Sequence, residues 1–202
     1  KVLPEKLQHN IHLLYNAIDY KKFLDIDNVK KPNVLRLINV GSFAPKKNQT
    51  FLIDIIVELK TRGIKCELYL LGEGQEYENV KEKALLHDLN NEIHFLGNVN
   101  NVEEHLWKSH LYIHSAYYEP FGLVLLEAMA AGLPVVTLDG KGNRDLIEEG
   151  KNGHLIYEQD PNQFANKIIS LFENKEKYSE MSNYCKEYAK QYDIKEYTNK
   201  LL

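Results

Sequence analysis

Val34-Leu35-Arg36-Leu37-Ile38-Asn39-Val40 is an apolar run of strand length, and Gly41 closes it. Behind it, from about Gln49 to Arg62, Phe51, Leu52, Ile55, Ile56 and Leu59 recur at helical spacing on one face. The pairing then repeats down the chain. Lys65 to Leu71 reads as a strand ending at Gly72, followed by a polar amphipathic helix over about Glu76 to Leu89. Glu92 to Leu96 is a short strand closed by Gly97, with a short helix over about Val102 to Lys108. His110 to Ser115 precedes a strongly apolar helix from Gly122 to Ala131. Leu133 to Leu138 precedes a short helix around Asp145 to Glu149, and Gly153 to Tyr157 is the last strand. Helices over about Pro161 to Glu173 and Glu176 to Lys190 close the chain. Strands interleaved with helices in this way predict an α/β fold with a doubly wound, parallel, six-stranded sheet covered on both faces. Such sheets bind ligands beyond the carboxyl ends of their strands, where strand order reverses. Gly41, Gly72 and Gly97 each follow a strand directly, as that rule requires.

The composition agrees. The chain has 202 residues, 44% hydrophobic and 27% charged, enough for a sizeable core in one domain or one domain with appendages. Eleven Gly, six Pro and two Cys exclude collagen-like, disordered and disulfide-scaffold classes. A net charge of −4 gives no strong field for polyanions, so nucleic acid is not an expected partner. No apolar run approaches the roughly 20 residues that cross a bilayer. Cys66 and Cys185 stand far apart without C-x-x-C spacing and read as buried free thiols of a reducing, cytoplasmic compartment. Tyr178, Met181, Tyr184, Cys185 and Tyr188 form a helical stripe that reads as core packing.

Several familiar motifs are missing or incomplete. Gly72-Glu73-Gly74-Gln75-Glu76-Tyr77 begins like a dinucleotide fingerprint but has Tyr77 at the third glycine position. No P-loop is present, and the eight His residues form no metal pair on a helix read from the sequence. His94, His110 and His114 lie in apolar strand segments and read as packed core or edge histidines. Asp25-Ile26-Asp27 has a spacing that holds a divalent cation in some transferases, but its position before the first core strand favours a solvated linker.

Glu119-Pro120-Phe121-Gly122-Leu123-Val124-Leu125-Leu126-Glu127 is the informative segment. Two carboxylates flank an apolar stretch, one just after a strand and one in the first turns of the next helix. Glu127 stands among Leu125, Leu126, Ala128, Met129 and Ala130, where a carboxylate needs a partner, and sugar hydroxyls are suitable donors. Gly122 at the helix start lets a phosphate approach backbone N–H groups that carry the positive end of the helix dipole. The bland alternative has Glu119 capping the helix and Glu127 paired with a lysine.

This segment resembles the E-x7-E motif of retaining glycosyltransferases of the GT-B fold, the family called group 1 or family 4. Asn16-Ala17-Ile18-Asp19 is similar to the N-G-I-D at the linker into that family's C-terminal, Rossmann-like domain. Gly41-Ser42-Phe43-Ala44-Pro45-Lys46-Lys47-Asn48 resembles G-R-x-x-x-x-K-[GN]. Gly72-Glu73-Gly74 and Phe95-Leu96-Gly97 resemble G-[DE]-G and F-x-G, and Ala128 to Val136 follows the family's A-M-A-x-G-x-P-V-V. The resemblance covers nearly the whole chain.

By that resemblance, the chain is the donor-binding domain of an enzyme moving a sugar from a nucleotide-diphosphate sugar, UDP- or GDP-linked, to a hydroxyl acceptor. No metal or further cofactor is implied. Lys47 would contact the diphosphate, Glu127 the ribose hydroxyls and Glu119 the transferred sugar. Backbone at Phe121, Gly122, Leu123 and Val124 would face sugar and phosphates. Gly41, Ser42, Gly72, Gly74 and Gly97 would line the cleft, with Asn98 and Val99 in the loop around the base. Glu119 and Lys47 are the catalytic candidates. Ser42 departs from the family's usual arginine, and Asn143-Arg144-Asp145 stands where a G-x-P-E-like turn is common, which makes Arg144 a candidate substitute for the missing cation. The resemblance places the activity in glycan, lipopolysaccharide or capsule biosynthesis, at the cytoplasmic side of a membrane that the longer enzyme would touch peripherally. The opening to Phe23 reads as a hinge cut from a longer protein. Residues 1–32 are then a linker from a preceding domain, 33–174 the nucleotide-sugar domain, and 175–202 helices that pack on it or cross back. The sugar or lipid-linked acceptor would bind the absent domain. Rival assignments are a GT-B nucleotide-sugar epimerase and a non-catalytic nucleotide-binding module, the latter supported by Ser42.

Overall fold

A computed structural model describes residues 16–25 and 31–201. Its sheet holds β1 (Leu35–Val40), β2 (Cys66–Leu71), β3 (Ile93–Gly97), β4 (Leu111–His114), β5 (Val135–Leu138) and β6 (Gly153–Ile156). All are parallel, in the spatial order β3-β2-β1-β4-β5-β6. The chain therefore winds outward from β1 to β3, returns to the far side of β1, and winds outward again. The reversal lies between β1 and β4, where Leu37 pairs with Leu111 and Ile38 with Tyr112. This is the doubly wound sheet that the alternating runs predict.

The helices are α1 (Tyr20–Phe23), α2 (Gln49–Thr61), α3 (Tyr77–Leu86), α4 (Val102–Trp107), α5 (Leu123–Ala130), α6 (Pro161–Glu173), α7 (Lys175–Lys190) and α8 (Ile194–Leu201). One layer groups α2 with α3 and α6, and the other groups α5 with α1 and α7. Phe51 of α2 meets Phe164 of α6 edge-on at 5.4 Å, and Ser182 of α7 donates to the Gly132 carbonyl just beyond α5. Covering both faces explains why β1 is apolar on both: Leu35, Leu37 and Ile38 are all fully buried. Met181, Cys185 and Tyr188 are buried on α7, with Tyr178 and Tyr184 packed against the core, so the tyrosine stripe is packing as expected. Both cysteines are buried and free. Among the described residues no helix is long and apolar enough to cross a membrane.

Two segments differ from expectation. In place of a helix around Asp145 to Glu149 there is a 3-10 turn over Asn143–Leu146. Asn143 is fully buried, its amide donates to Thr137 Oγ1 and the Leu138 carbonyl, and its Oδ1 accepts from Gly140 N–H. That staple folds the chain early, and Asn152 ends the turn by accepting from Glu148 N–H and donating to the Leu146 carbonyl. The chain also re-enters a helix after Lys190. The backbone of Tyr192 and Ile194 pairs with Ile18 at 2.9 Å on each side, and Asp193 accepts from Lys195 N–H at the start of α8. The apolar run before Asn16 and most of the Asp25-Ile26-Asp27 triplet lie outside the described residues.

Glycines set how closely the loops beyond β1 and β2 approach. A Cβ on Gly72, whose φ is +123°, would stand 2.1 Å from the Gly41 carbonyl oxygen, and one on Gly74 would stand 2.4 Å from that of Phe43. The contacting atoms are backbone and have no rotamer to change. Gly72→Ala is therefore expected to force the two loops apart and to cost about 2 kcal/mol or more, read as a lowered urea midpoint with an unchanged m-value.

Candidate functional site

Beyond β1 the chain makes a 3-10 turn over Pro45–Lys47, ending at Asn48 in the left-handed region with φ of 52°. Ser115, just past β4, donates its hydroxyl to the Lys47 carbonyl at 2.8 Å, and Tyr117 N–H donates to that of Lys46. The turn carrying Lys47 is thereby fastened to the far side of the reversal. On that side, Glu119 N–H donates to the Gly140 carbonyl at 2.8 Å and Gly142 N–H donates to the Glu119 carbonyl at 3.1 Å. A Cβ on Gly142 would lie 2.0 Å from the Pro120 carbonyl oxygen, so only glycine permits this approach. Loops after β1, β4 and β5 thus converge on one carboxylate.

Lys47 Nζ donates directly to Glu119 Oε2, and His114 Nε2 lies 3.3 Å from the same oxygen. The side chains are 16%, 10% and 2% exposed respectively, so the cluster is largely removed from water. Burial pushes the Glu119 carboxyl up, but His114 and Lys47 outweigh it and hold it at about 2. Burial lowers the His114 pKa, and the neighbouring Glu119 carboxylate only partly offsets this while Lys47 adds to it. Glu127, half-buried on α5, behaves oppositely. Burial raises its pKa, with only a partial pull downward from Lys22, and its carboxylate makes no hydrogen bond among the described residues. The bland alternative fails on both acids, because α5 starts from Gly122 with no side-chain cap and Lys22 pairs instead with Glu103.

The other candidates line the same edge. Gly122, with φ of 95°, turns the chain into α5 and leaves that helix's first N–H groups to an incoming acceptor. Phe121 packs edge-on against Tyr192 at 6.2 Å, Leu123 is exposed and Val124 half-buried. Gly41 N–H donates to the Leu71 carbonyl and Gly72 N–H to that of Gly97, which draws the ends of β1, β2 and β3 together. Phe43 N–H donates to the Glu73 carbonyl beside Gly74. Asn98 donates to Glu73 Oε2 at 3.0 Å, while Val99 packs on the core. Ser42 is exposed and offers no cation. Arg144 is committed to a two-pronged pair with Asp139, at 2.9 and 2.5 Å. Among the described residues no three His, Cys, Asp or Glu side chains group as a metal site.

The packing assignment holds for all three strand histidines: His94 lies against Tyr69, His110 Nδ1 accepts from Arg36 N–H, and His114 is buried and stacked on Tyr112. What the sequence did not show is that His114, at the end of β4, also lies 3.3 Å from Glu119 Oε2. Asn143 and Glu73 were missed for different reasons: Asn143 acts through Thr137, Leu138 and Gly140 within a loop whose shape it creates, and Glu73 through Asn98 on another loop.

A parallel α/β sheet with a buried cation, two acids and an uncapped helix start at its reversal is the architecture of a nucleotide-binding domain. The particular family follows from comparison: the profile of glycosyl transferases group 1 matches residues 21–192, and the chain belongs to that family. It is 28% identical over 193 residues to the N-acetyl-alpha-D-glucosaminyl L-malate synthase of Bacillus anthracis, covering 92% of this chain and 50% of the relative. Pneumococcal O-GlcNAc transferase GtfA, solved with UDP and GlcNAc, superposes with a TM-score of 0.80 at 26% identity, over 92% of this chain and 37% of that one. Anabaena HepE, solved with UDP, superposes with a TM-score of 0.82 at 25% identity, over 93% and 55%. The chain thus spans about half the length, or less, of such relatives, and its fold is that of the C-terminal domain of GT-B glycosyltransferases.

The Glu119 carboxyl, at about 2 against an ordinary 4.5, has a definite consequence for acid stability. A carboxyl depressed in the folded state stabilises fully above its unfolded pKa, and that contribution is lost as pH falls toward the folded value. Wild type should therefore lose more stability than Glu119→Gln between about pH 4.5 and pH 2, measured as the fall in thermal midpoint of each protein across that window.

Proposed function

We propose that this domain binds the nucleotide-diphosphate sugar donor of a retaining glycosyl transfer to a hydroxyl acceptor. The observation that carries this is the buried Lys47–Glu119 pair at the sheet reversal, beside the uncapped start of α5. The UDP held by the GtfA and HepE structures supports it. In this assignment Lys47 and the first N–H groups of α5 take the diphosphate and stabilise it as it leaves, an electrostatic task that a desolvated site performs well. Glu127, raised by burial and without a donor of its own, accepts from the ribose hydroxyls. Glu119 accepts from hydroxyls of the transferred sugar, and Asn98 and Val99 border the base. Retention would follow from attack on the face the diphosphate leaves, with the departing phosphate taking the acceptor's proton. The acceptor is met by parts of the longer enzyme, which for this family lie in a second domain. Exposed Ser42, together with Arg144 engaged by Asp139, favours a second assignment in which the diphosphate grip is too weak for turnover and the domain only binds nucleotide.

Calorimetric titration with UDP and GDP, and with their sugar derivatives, tests the assignment. Lys47→Ala should weaken diphosphate binding about tenfold or more, with a loss that shrinks in high salt, and should leave an uncharged nucleoside unaffected. Wild-type affinity for all ligands in the mutant would return Lys47 to a structural role.

The two acids should separate in the same titration. Glu127→Gln is expected to weaken bare diphosphate and sugar nucleotide alike. Glu119→Gln frees Lys47 from its partner, so bare diphosphate should bind at least as well while the sugar nucleotide loses affinity. Equal losses for both ligands in Glu119→Gln would contradict the division of roles.

A further inference from the structure

His114 ends β4 with its ring 2% exposed and stacked on Tyr112 at 6.1 Å, and neither ring nitrogen has an aligned hydrogen-bond partner. A stranded buried polar atom is costly, so the arrangement calls for an explanation. Nε2 lies 3.3 Å from Glu119 Oε2, the oxygen that Lys47 already holds. The polar and charged groups near the ring come from four elements. Tyr112 stands on β4 itself, and Thr137 is the register partner on β5, with its hydroxyl turned to the Leu138 carbonyl. Lys47 comes from the loop after β1, and Glu119 from the loop after β4. Only the last two carry charge, and while paired they cancel.

Cancellation cannot survive occupancy of the donor site. A diphosphate that draws Lys47 onto itself leaves the Glu119 carboxylate buried, without its cation and beside added negative charge. Two things relieve that: hydroxyl donors from an attached sugar, or a proton. We propose that His114 is a positioning residue for Glu119: when a bare diphosphate takes Lys47, the His114 Nε2–Glu119 Oε2 pair takes up one proton from solvent and keeps the carboxylate facing the sugar position. A sugar nucleotide supplies hydroxyl donors instead and needs little or no proton. The site therefore tells the sugar-bearing donor from the spent diphosphate by charge as well as by contact. The inference rests on the donor-site assignment above. It goes beyond it in giving a role to a residue outside the E-x7-E segment, and in coupling diphosphate release to pH. Burial that disfavours the charged imidazole is consistent with a group that waits for this change.

The sign follows from the step. Binding that takes up a proton is favoured at low pH and weakens as pH rises through the pKa of the bound pair, by up to about tenfold per pH unit. The experiment is calorimetric titration of the chain with UDP and with GDP between about pH 6 and pH 8, in buffers of low and high ionisation enthalpy, for wild type, His114→Asn and Glu119→Gln. The diphosphate's own terminal phosphate titrates in this range and contributes equally to all three proteins. Wild type should show buffer-dependent heat corresponding to proton uptake beyond that of either variant, and a steeper pH dependence of affinity. If His114→Asn does not fold, His114→Gln replaces it, and the wild-type His114 ring proton should shift downfield on adding UDP in an NMR titration. Binding without excess proton uptake in wild type, or uptake undiminished in the His114 variant, overturns the inference and leaves the donor site standing. Failure of both diphosphates to bind removes the donor site and this inference together.

Discussion

The pairing of β1 with β4 is the constraint on which the rest of the molecule depends. Because the chain returns to the far side of β1 after β3, α2 and α5, which follow β1 and β4, lie on opposite faces of the sheet, and the loops leading to them face each other at the reversal. Each loop is then tied to the other. Ser115 holds the turn that carries Lys47, and the Lys47 ammonium holds Glu119. Had β4 joined the sheet beyond β3, Lys47 and Glu119 would stand three strand positions apart, too far to pair.

A buried ion pair is weak evidence for stability, since the cost of desolvating two charges consumes most of the attraction. Its value here is in what it prepares. Lys47 and Glu119 neutralise each other at the sheet reversal, and in the proposed assignment they would present opposite charges to the two ends of a sugar diphosphate. Glu127 lies eight positions beyond Glu119, on the first turns of the adjoining helix, and differs from it in electrostatics. One carboxyl is held down by His114 and Lys47, and the other is pushed up by burial that Lys22 only partly offsets. Two acids of the same chemistry pushed apart by their surroundings mark different tasks.

The loops that hold these groups are rigid by close packing more than by secondary structure. Gly72 and Gly142 approach neighbouring carbonyls too closely for any side chain, and Asn143 spends its whole amide on three partners. Phe121 leans on Tyr192, next to the backbone pairing of Ile18 with Tyr192 and Ile194. The segments around Ile18 and Tyr192 therefore meet beside Phe121, two residues beyond Glu119.

The sequence by itself determined the alternation of strands and helices, because apolar runs covered on both faces and helical-period segments have distinct signatures. Val34 to Val40 and Gln49 to Arg62 were legible for that reason. The same local chemistry marked Gly41, Gly72 and Gly97 as strand-end positions and Glu127 as an acid among leucines and alanines. Only the tertiary structure decided which loops meet. That Lys47 grips Glu119, that His114 abuts the same oxygen, that Arg144 is spent on Asp139, and that Asn143 folds its loop into a 3-10 turn are contacts between residues brought together by strand order. Asn143 binds five and six residues back through a loop whose shape it also creates, and helical periodicity cannot register that. His114 looked like one more packed strand histidine because its neighbours in sequence are apolar. Glu119 lies five positions on, in the loop after β4, and Lys47 lies 67 positions upstream in the loop after β1, so burial and proximity, which depend on the whole fold, made it part of the candidate site.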